Sequence, residues 1–302
     1  MSESSNSHVT ASTNSGRDAF RRPRVVVLAG ANRATVHQEL LRLRPTIEAH
    51  CDLLAIDEDF TYRFSGQPID LVVVLGGDGS ILQAARQMGH FQHPVLGVNL
   101  GRLGFLAALS PEQFIDCWPS VCRGAFAITH HLMLQCMVFQ NGQMIKSQIG
   151  LNEMAVLGGP PYSMLQIDLY VDSELATTYS CDGLIISTPI GSTAHNLSAG
   201  GPILRKNLQA FVISPISPHT LTMRPVVDTA DRVFELVMRE QHPSTSVVVD
   251  GRVLCPLHPN LRVRVVRAQE SFQLVNVPGI SDYVTLRDKL GWSGSPRGIK
   301  HP

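Results

Sequence analysis

Leu71-Val-Val-Val-Leu75 runs directly into Gly76-Gly77-Asp78-Gly79-Ser80 and on into Ile81-Leu-Gln-Ala-Ala-Arg-Gln-Met88. An unbroken apolar, β-branched run is the pattern of a strand buried on both faces, and the stretch after the glycines carries apolar residues at helical spacing. The order is therefore strand, loop, helix. Upstream, Arg24-Val-Val-Val-Leu-Ala29 ends at Gly30 and is followed by Val36, Leu40, Leu43 and Ile47, again strand then helix. Pro94-Val-Leu-Gly-Val98 reads as a third buried strand. Uninterrupted apolar strands alternating with helices predict a parallel sheet covered on both faces, a Rossmann-like α/β domain over residues 21–120.

After about residue 120 the texture changes to alternating strands separated by turn residues. Ser163 to Val171 and Leu175 to Ser187 flank Asp172-Ser173-Glu174 and read as a β-hairpin. Further strands are expected over Val233 to Met238, Ser246 to Val249 and Leu261 to Val266. These place a second, mainly antiparallel, β-sandwich-like domain over residues 121–275, with helical character from Tyr283 to Leu290 before Gly291.

A chain of 302 residues fits two domains. Its 44% hydrophobic and 17% charged content is that of a soluble globular protein, and no apolar run approaches the ~20 residues of a membrane span. The 25 basic and 25 acidic side chains cancel without a long basic run, which gives no electrostatic footprint for nucleic acid or anionic lipid. Six cysteines form no Cys-x-x-Cys pair, which points to reduced thiols in a cytoplasmic protein and away from structural zinc. Residues 1–20, rich in Ser, Thr and Asn, read as a disordered leader.

Ligands of open α/β sheets settle beyond the carboxyl ends of the strands, where Gly76 to Ser80 lies. Glycines let backbone amides approach phosphate oxygens, and the following helix presents unpaired N–H groups. Asp78 is out of place in a plain phosphate cradle, because like charges repel; it calls for a cation or a proton as partner. A tight Gly-Asp turn is the alternative. The loop lacks the spacing of the dinucleotide fingerprint G-x-G-x-x-G.

A second concentration of unusual residues comprises Asn152-Glu153, Asp182-Gly183, and the Gly, Ser and Thr-rich stretch from Gly191 to Gly201. Asn and Glu side by side can grip the neighbouring hydroxyls of a ribose. In order, GGDGS at 76–80, NLGRLGF at 99–105, LNE at 151–153, DGLIISTPIGSTAHNLSAGGPI at 182–203 and SPHTLTMRPVV at 217–227 resemble the NAD kinase family, over nearly the whole ordered chain. The resemblance implies transfer of the terminal phosphate of ATP, or of polyphosphate in some members, to the 2′-hydroxyl of the adenosine ribose of NAD, giving NADP. It implies Asp78 as general base and a nucleotide site made of Gly76, Gly77, Gly79, Asn152, Glu153, Asp182, Thr193, Ala194, His195, Asn196, Leu197 and Ser198. Arg252, in Asp250-Gly251-Arg252, is implied as a further contact, although a plain Asp-Gly hairpin turn reads equally well. The family further implies Mg²⁺ or another divalent ion arriving with ATP, no metal-ligating residue set, and a homodimer or homotetramer. It also implies that residues 276–302 pack back on the first domain.

Ser80 stands where threonine is commoner, His195 replaces the usual tyrosine, and Ser163 and Ser180 lie where bacterial members often carry basic or larger polar side chains. Two alternatives share some of these features: a lipid or sphingoid-base kinase built on the same loop, and a catalytically silent NAD-binding regulator.

Overall fold

The computed structural model describes residues 21–30, 34–101, 104–107, 109–160, 163–242, 244–278 and 282–291. The expected leader lies outside them. The N-terminal part runs β1 (Arg24–Ala29), α1 (Ala34–His50), β2 (Asp52–Asp57), β3 (Leu71–Leu75), α2 (Asp78–Met88), β4 (Val95–Val98) and α3 (Pro111–Cys122). β1 pairs in parallel with β2 and β3, and β3 with β4, giving the order β2-β1-β3-β4. The chain leaves β1 towards one edge and β3 towards the other. The ends of these two strands therefore form a topological switch point, and Gly76 opens from one of them.

Both faces of these strands are covered, as their continuous apolar runs require. Val36, Leu40, Leu43 and Ile47 of α1 pack with Phe114 and Trp118 of α3 on one face, with the two rings stacked at 4.9 Å. Ile81, Ala84, Ala85 and Met88 of α2 fill the other. Each such side chain, removed from water, contributes about 1.5–3 kcal/mol. Gly97 in β4 lets α2 come close, because a Cβ there would lie 2.6 Å from Ile81 Cδ1 and 3.0 Å from Ala107 Cα.

The second part continues with β5 (Ala127–Gln140), β6 (Gln143–Gly150), β7 (Glu153–Leu157), β8 (Leu165–Val171), β9 (Glu174–Cys181), β10 (Gly183–Ser187), a 3₁₀ turn (Gly191–Thr193) and α4 (His195–Ser198). There follow β11 (Ala210–Ile216), β12 (Val226–Thr229), β13 (Phe234–Met238), β14 (Ser246–Val249), β15 (Arg252–Pro256), β16 (Leu261–Asn276) and α5 (Asp282–Leu290). A six-stranded antiparallel sheet, β12-β11-β10-β7-β14-β15, packs through Met154, Val156, Leu184, Ile186, Phe211 and Val249 onto the antiparallel strands of the larger sheet.

Two expectations change. Leu175 to Ser187 is not one strand: β9 stops at Cys181, the chain turns at Asp182, and β10 starts in the other sheet. Gly183 makes the corner possible, since a Cβ there would sit 2.6 Å from Val156 O. The strand expected over Leu261 to Val266 runs on to Asn276, and its far end joins the parallel sheet at Leu274 opposite Val95. That extension of β16, together with β5 along its length, makes one ten-stranded sheet through both parts of the chain. α5, beyond it, touches the first part where Lys289 lies over the Phe105 ring at 4.6 Å.

Candidate functional site

Beyond β3, Gly76 takes φ +149° and donates its N–H to Val98 O at 2.9 Å, and Gly77 caps α2 with no side chain on the helix amides. A Cβ at Gly77 or Gly79 would meet no protein atom, and neither has a positive φ. The protein's own packing does not require glycine at either position, and the head of α2 is left open there.

Asp78 is the first residue of α2, and its carboxylate is held by backbone amides. Oδ2 accepts from Phe105 N at 2.7 Å, and Oδ1 from Leu106 N at 2.9 Å and Ala107 N at 3.1 Å. Gly104 makes this approach possible, because a Cβ there would collide with the Asp78 carboxylate. A carboxylate offers about four lone-pair sites, so among the described residues three N–H donors leave one unused, on Oδ2.

Asn152 and Glu153 stand at the start of β7. Asp250, from the turn between β14 and β15, accepts from Leu151 N at 2.7 Å, Asn152 N at 2.8 Å and Glu153 N at 3.1 Å. Glu153 is only 8% exposed and its Oε2 has no partner among the described residues. Burial, reinforced by the charge of Asp250, pushes its carboxyl up to about 8. At neutral pH Glu153 is a carboxylic acid, which both donates and accepts a hydrogen bond.

The Gly191 to Gly201 stretch folds over this strand. Thr188 Oγ1 donates to Leu151 O at 2.6 Å and accepts from Gly191 N at 3.1 Å. Thr193, Ala194, His195 and Leu197 are half-buried, and Ser198 is exposed. Asn196 is fully buried: its amide donates to Ser192 O and Pro202 O, and its Oδ1 accepts from Ser214 Oγ at 2.7 Å. Its side chain is thus spent on the scaffold beneath the turn.

Ile81 of α2, Leu151 and Ile190 share one buried cluster, which brings the Asp78 loop, the Asn152 strand and the 188–198 turn to one place. Beside it opens a cavity of about 370 Å³ lined by Phe105, Ile190, Thr193, Arg205, Lys206 and Tyr283. Lys206 Nζ donates to Phe105 O at 2.9 Å, at the turn that holds Asp78. Two residues implied as contacts are engaged with protein partners. Asp182 lies at the opposite end of β10 from the residue paired with Glu153, roughly 17 Å along the strand, exposed and 3.1 Å from His219 Nε2. Arg252 donates to Gln83 Oε1 at 2.7 Å, fastening the β14–β15 turn onto α2.

Among the described residues no three His, Cys, Asp or Glu side chains gather to hold a metal. Sequence reasoning did not single out Gly104, Phe105 or Lys206 as site components, and it took Asp250 only as part of the late hairpin Asp250-Gly251-Arg252, not as the anchor of residues 151–153. NLGRLGF was part of the resemblance, but nothing in it shows that its backbone amides face an aspartate 27 or more residues earlier.

The ATP-NAD kinase N-terminal domain family matches residues 5–126, and the ATP-NAD kinase C-terminal domain family residues 151–277. An NAD kinase of Rhodopirellula baltica is 61% identical over 91% of this chain and 88% of its own length. One from Photobacterium profundum is 39% identical over 80% of each. The fold resembles yeast NADH kinase complexed with NADH, with TM-score 0.79, 22% identity and 92% and 90% of the two chains covered. It also resembles an NAD kinase from Archaeoglobus fulgidus in complex with ATP, with TM-score 0.68, 24% identity and 89% and 97% covered.

Proposed function

The chain belongs to the NAD kinase family, and from that premise we propose how its residues phosphorylate the 2′-hydroxyl of the adenosine ribose of NAD to give NADP. Membership sets aside the lipid-kinase and silent-regulator alternatives. The observation that carries the mechanism is the Asp78 carboxylate, held by three amides with one lone pair of Oδ2 vacant at the mouth of the site.

Phosphoryl transfer asks a protein chiefly for alignment and electrostatics. Asp78 Oδ2 accepts the proton of the attacking hydroxyl, and the amide cradle fixes the direction from which it does so. Asn152 and Glu153 hold the acceptor ribose. The unpartnered Oε2 of Glu153 is a buried polar atom that a substrate hydroxyl satisfies. Gly76, Gly77 and Gly79 leave room for donor phosphates at the open end of α2, and Lys206 and Arg205 supply positive charge at the neighbouring cavity. Thr193 to Ser198 wall the dinucleotide.

ATP is the proposed donor, with polyphosphate the second reading. Mg²⁺ would neutralise charge on the donor phosphates. It would be held mainly by those phosphates and by water, which agrees with the lack of a His, Cys, Asp and Glu cluster among the described residues. A homodimer or homotetramer acting in the cytoplasm completes the proposal, and no helix among the described residues is long and apolar enough to cross a membrane. Asp182, remote from Glu153 along β10, contacts the dinucleotide at its far end or from a second subunit.

Asp78→Asn tests the base. Its carbonyl can still accept from Leu106 and Ala107 while its NH₂ confronts Phe105 N. NADP formation should fall by ~10²–10⁴ in kcat with little change in KM for NAD. Wild-type turnover in this variant would remove Asp78 from the chemistry.

A further inference from the structure

Three consecutive amides, of Leu151, Asn152 and Glu153, converge on one carboxylate that lies 97 to 99 residues further along the chain. We propose that Asp250 is a positioning residue for the acceptor: it touches no substrate but holds Asn152 and Glu153 in place through their backbone. The inference rests on the reading above, in which those two residues grip the ribose.

The turn itself does not ask for aspartate. Asp250 and Gly251 have φ +47° and +74°, the two left-handed residues of a tight hairpin between Val249 and Arg252. Glycine or asparagine would satisfy that backbone as well or better. Neither could do what Asp250 does for the neighbouring strand: glycine has no acceptor, and asparagine has one acceptor oxygen and two N–H donors to set against three N–H groups. A carboxylate, with about four lone-pair sites, receives all three. Asp250 N in turn donates to Glu153 O at 3.0 Å, so the turn and the first residues of β7 hold each other.

The same turn is docked on the helix that carries Asp78. Arg252 reaches Gln83, and Arg86, also of α2, lies beside Asp250 and opposes the upward push that burial gives its carboxyl. Asp78 and the Asn152 wall are thus set in one frame, with Asp250 at the joint. The charged groups around Glu153 and Asp250 are these two carboxyls, Arg86 and, next to Arg86, Arg252.

Asp250→Asn and Asp250→Gly are compared with wild type and with Asn152→Ala. The left-handed turn suits glycine, so Asp250→Gly keeps the hairpin if Asp250→Asn does not fold, and thermal melts report which proteins are intact. KM for NAD, kcat, and the pH profile of KM from pH 6 to 10 are measured for each. The expected result is a KM for NAD raised about tenfold or more, the loss of one well-placed contact, with kcat within about threefold. The inflection from Glu153 near pH 8 should move to lower pH, because the charge of Asp250 that helps hold it there is gone. A merely structural loss would lower the amount of folded enzyme and leave KM for NAD unchanged. A folded variant with unchanged KM, or one whose loss falls entirely in kcat, overturns the proposal. If Asn152→Ala also leaves KM for NAD unchanged, the ribose reading itself has failed; if Asn152→Ala raises KM while the Asp250 variants do not, only the role of Asp250 has.

Discussion

Gly104→Ala puts one methyl group against the Asp78 carboxylate and so tests the amide cradle without altering a titratable group. The new Cβ would lie 2.9 Å from Asp78 Cγ and 3.1 Å from Ala107 O. Carbon atoms pack at about 3.5–4.0 Å, so the carboxylate must retreat by roughly 0.6–1.1 Å. A shift of that size stretches hydrogen bonds of 2.7, 2.9 and 3.1 Å towards or past the limit of a useful bond. Each bond to a charged group that is lost without replacement costs about 1.5–3 kcal/mol. Misplacing a reacting group by ~1 Å costs on the order of 10² in rate. Gly104→Ala should therefore lower kcat about a hundredfold while changing KM for NAD little, because Asn152, Glu153 and their anchor Asp250 are untouched. The assay follows NADP with an NADP-specific dehydrogenase at saturating NAD, ATP and Mg²⁺. If the folded variant turns over within about threefold of wild type, Asp78 does not depend on the 105–107 turn, and the cradle is incidental to catalysis.

Glu153→Gln should flatten the pH dependence of stability. The folded protein keeps Glu153 protonated up to about pH 8, whereas the unfolded chain releases that proton near the ordinary 4.5 of a glutamate, so native stability falls as pH rises through that window and levels off above it. The burial of Glu153 allows up to about 5 kcal/mol for this term, and urea unfolding at pH 5 and pH 8.5 should show a smaller decline in the glutamine variant than in wild type; equal declines would mean that Glu153 is not the titrating group. Asn196→Ala should destabilise the protein by roughly 3–5 kcal/mol, since it strands Ser214 Oγ and the carbonyls of Ser192 and Pro202 in the interior. A melting temperature within about 2 °C of wild type would show that this amide does not brace the turn.

The first half of the architecture was readable because a strand buried on both faces writes itself as a contiguous apolar run, as in Leu71 to Leu75, and its glycine loop marks where it ends. Local pattern carries no such mark at Asp182: the β-forming texture continues through Cys181 and Ser187, and only Gly183 hints that the chain changes sheets. Nor could it show that β16 serves both halves, since a strand's partners are not written in its own residues. In the site, Asp78 and Asn152 were found as unusual residues in unusual settings. What holds them was hidden, because an amide donates regardless of its side chain and Phe105, Leu106 and Ala107 carry no polar signal. Asn196 shows the converse. A buried amide satisfied by carbonyls and one that waits for a ligand have the same sequence signature.

Asp78 and Asp250 use their carboxylates in the same way. Each gives Oδ2 to the first of three consecutive amides and Oδ1 to the next two. The device stiffens a loop from a distant element, and it leaves one lone pair vacant on each Oδ2. What differs is the surroundings. Burial pushes the Asp250 carboxyl up, and Glu153 and Arg86 are its charged neighbours. Asp78 is half-buried at the head of α2, between two glycines whose missing side chains leave the approach open. On the proposed reading this opening lets a hydroxyl reach Asp78, while Asp250 acts through the backbone of Asn152 and Glu153, so the same arrangement serves a catalytic base in one place and a positioning residue in the other.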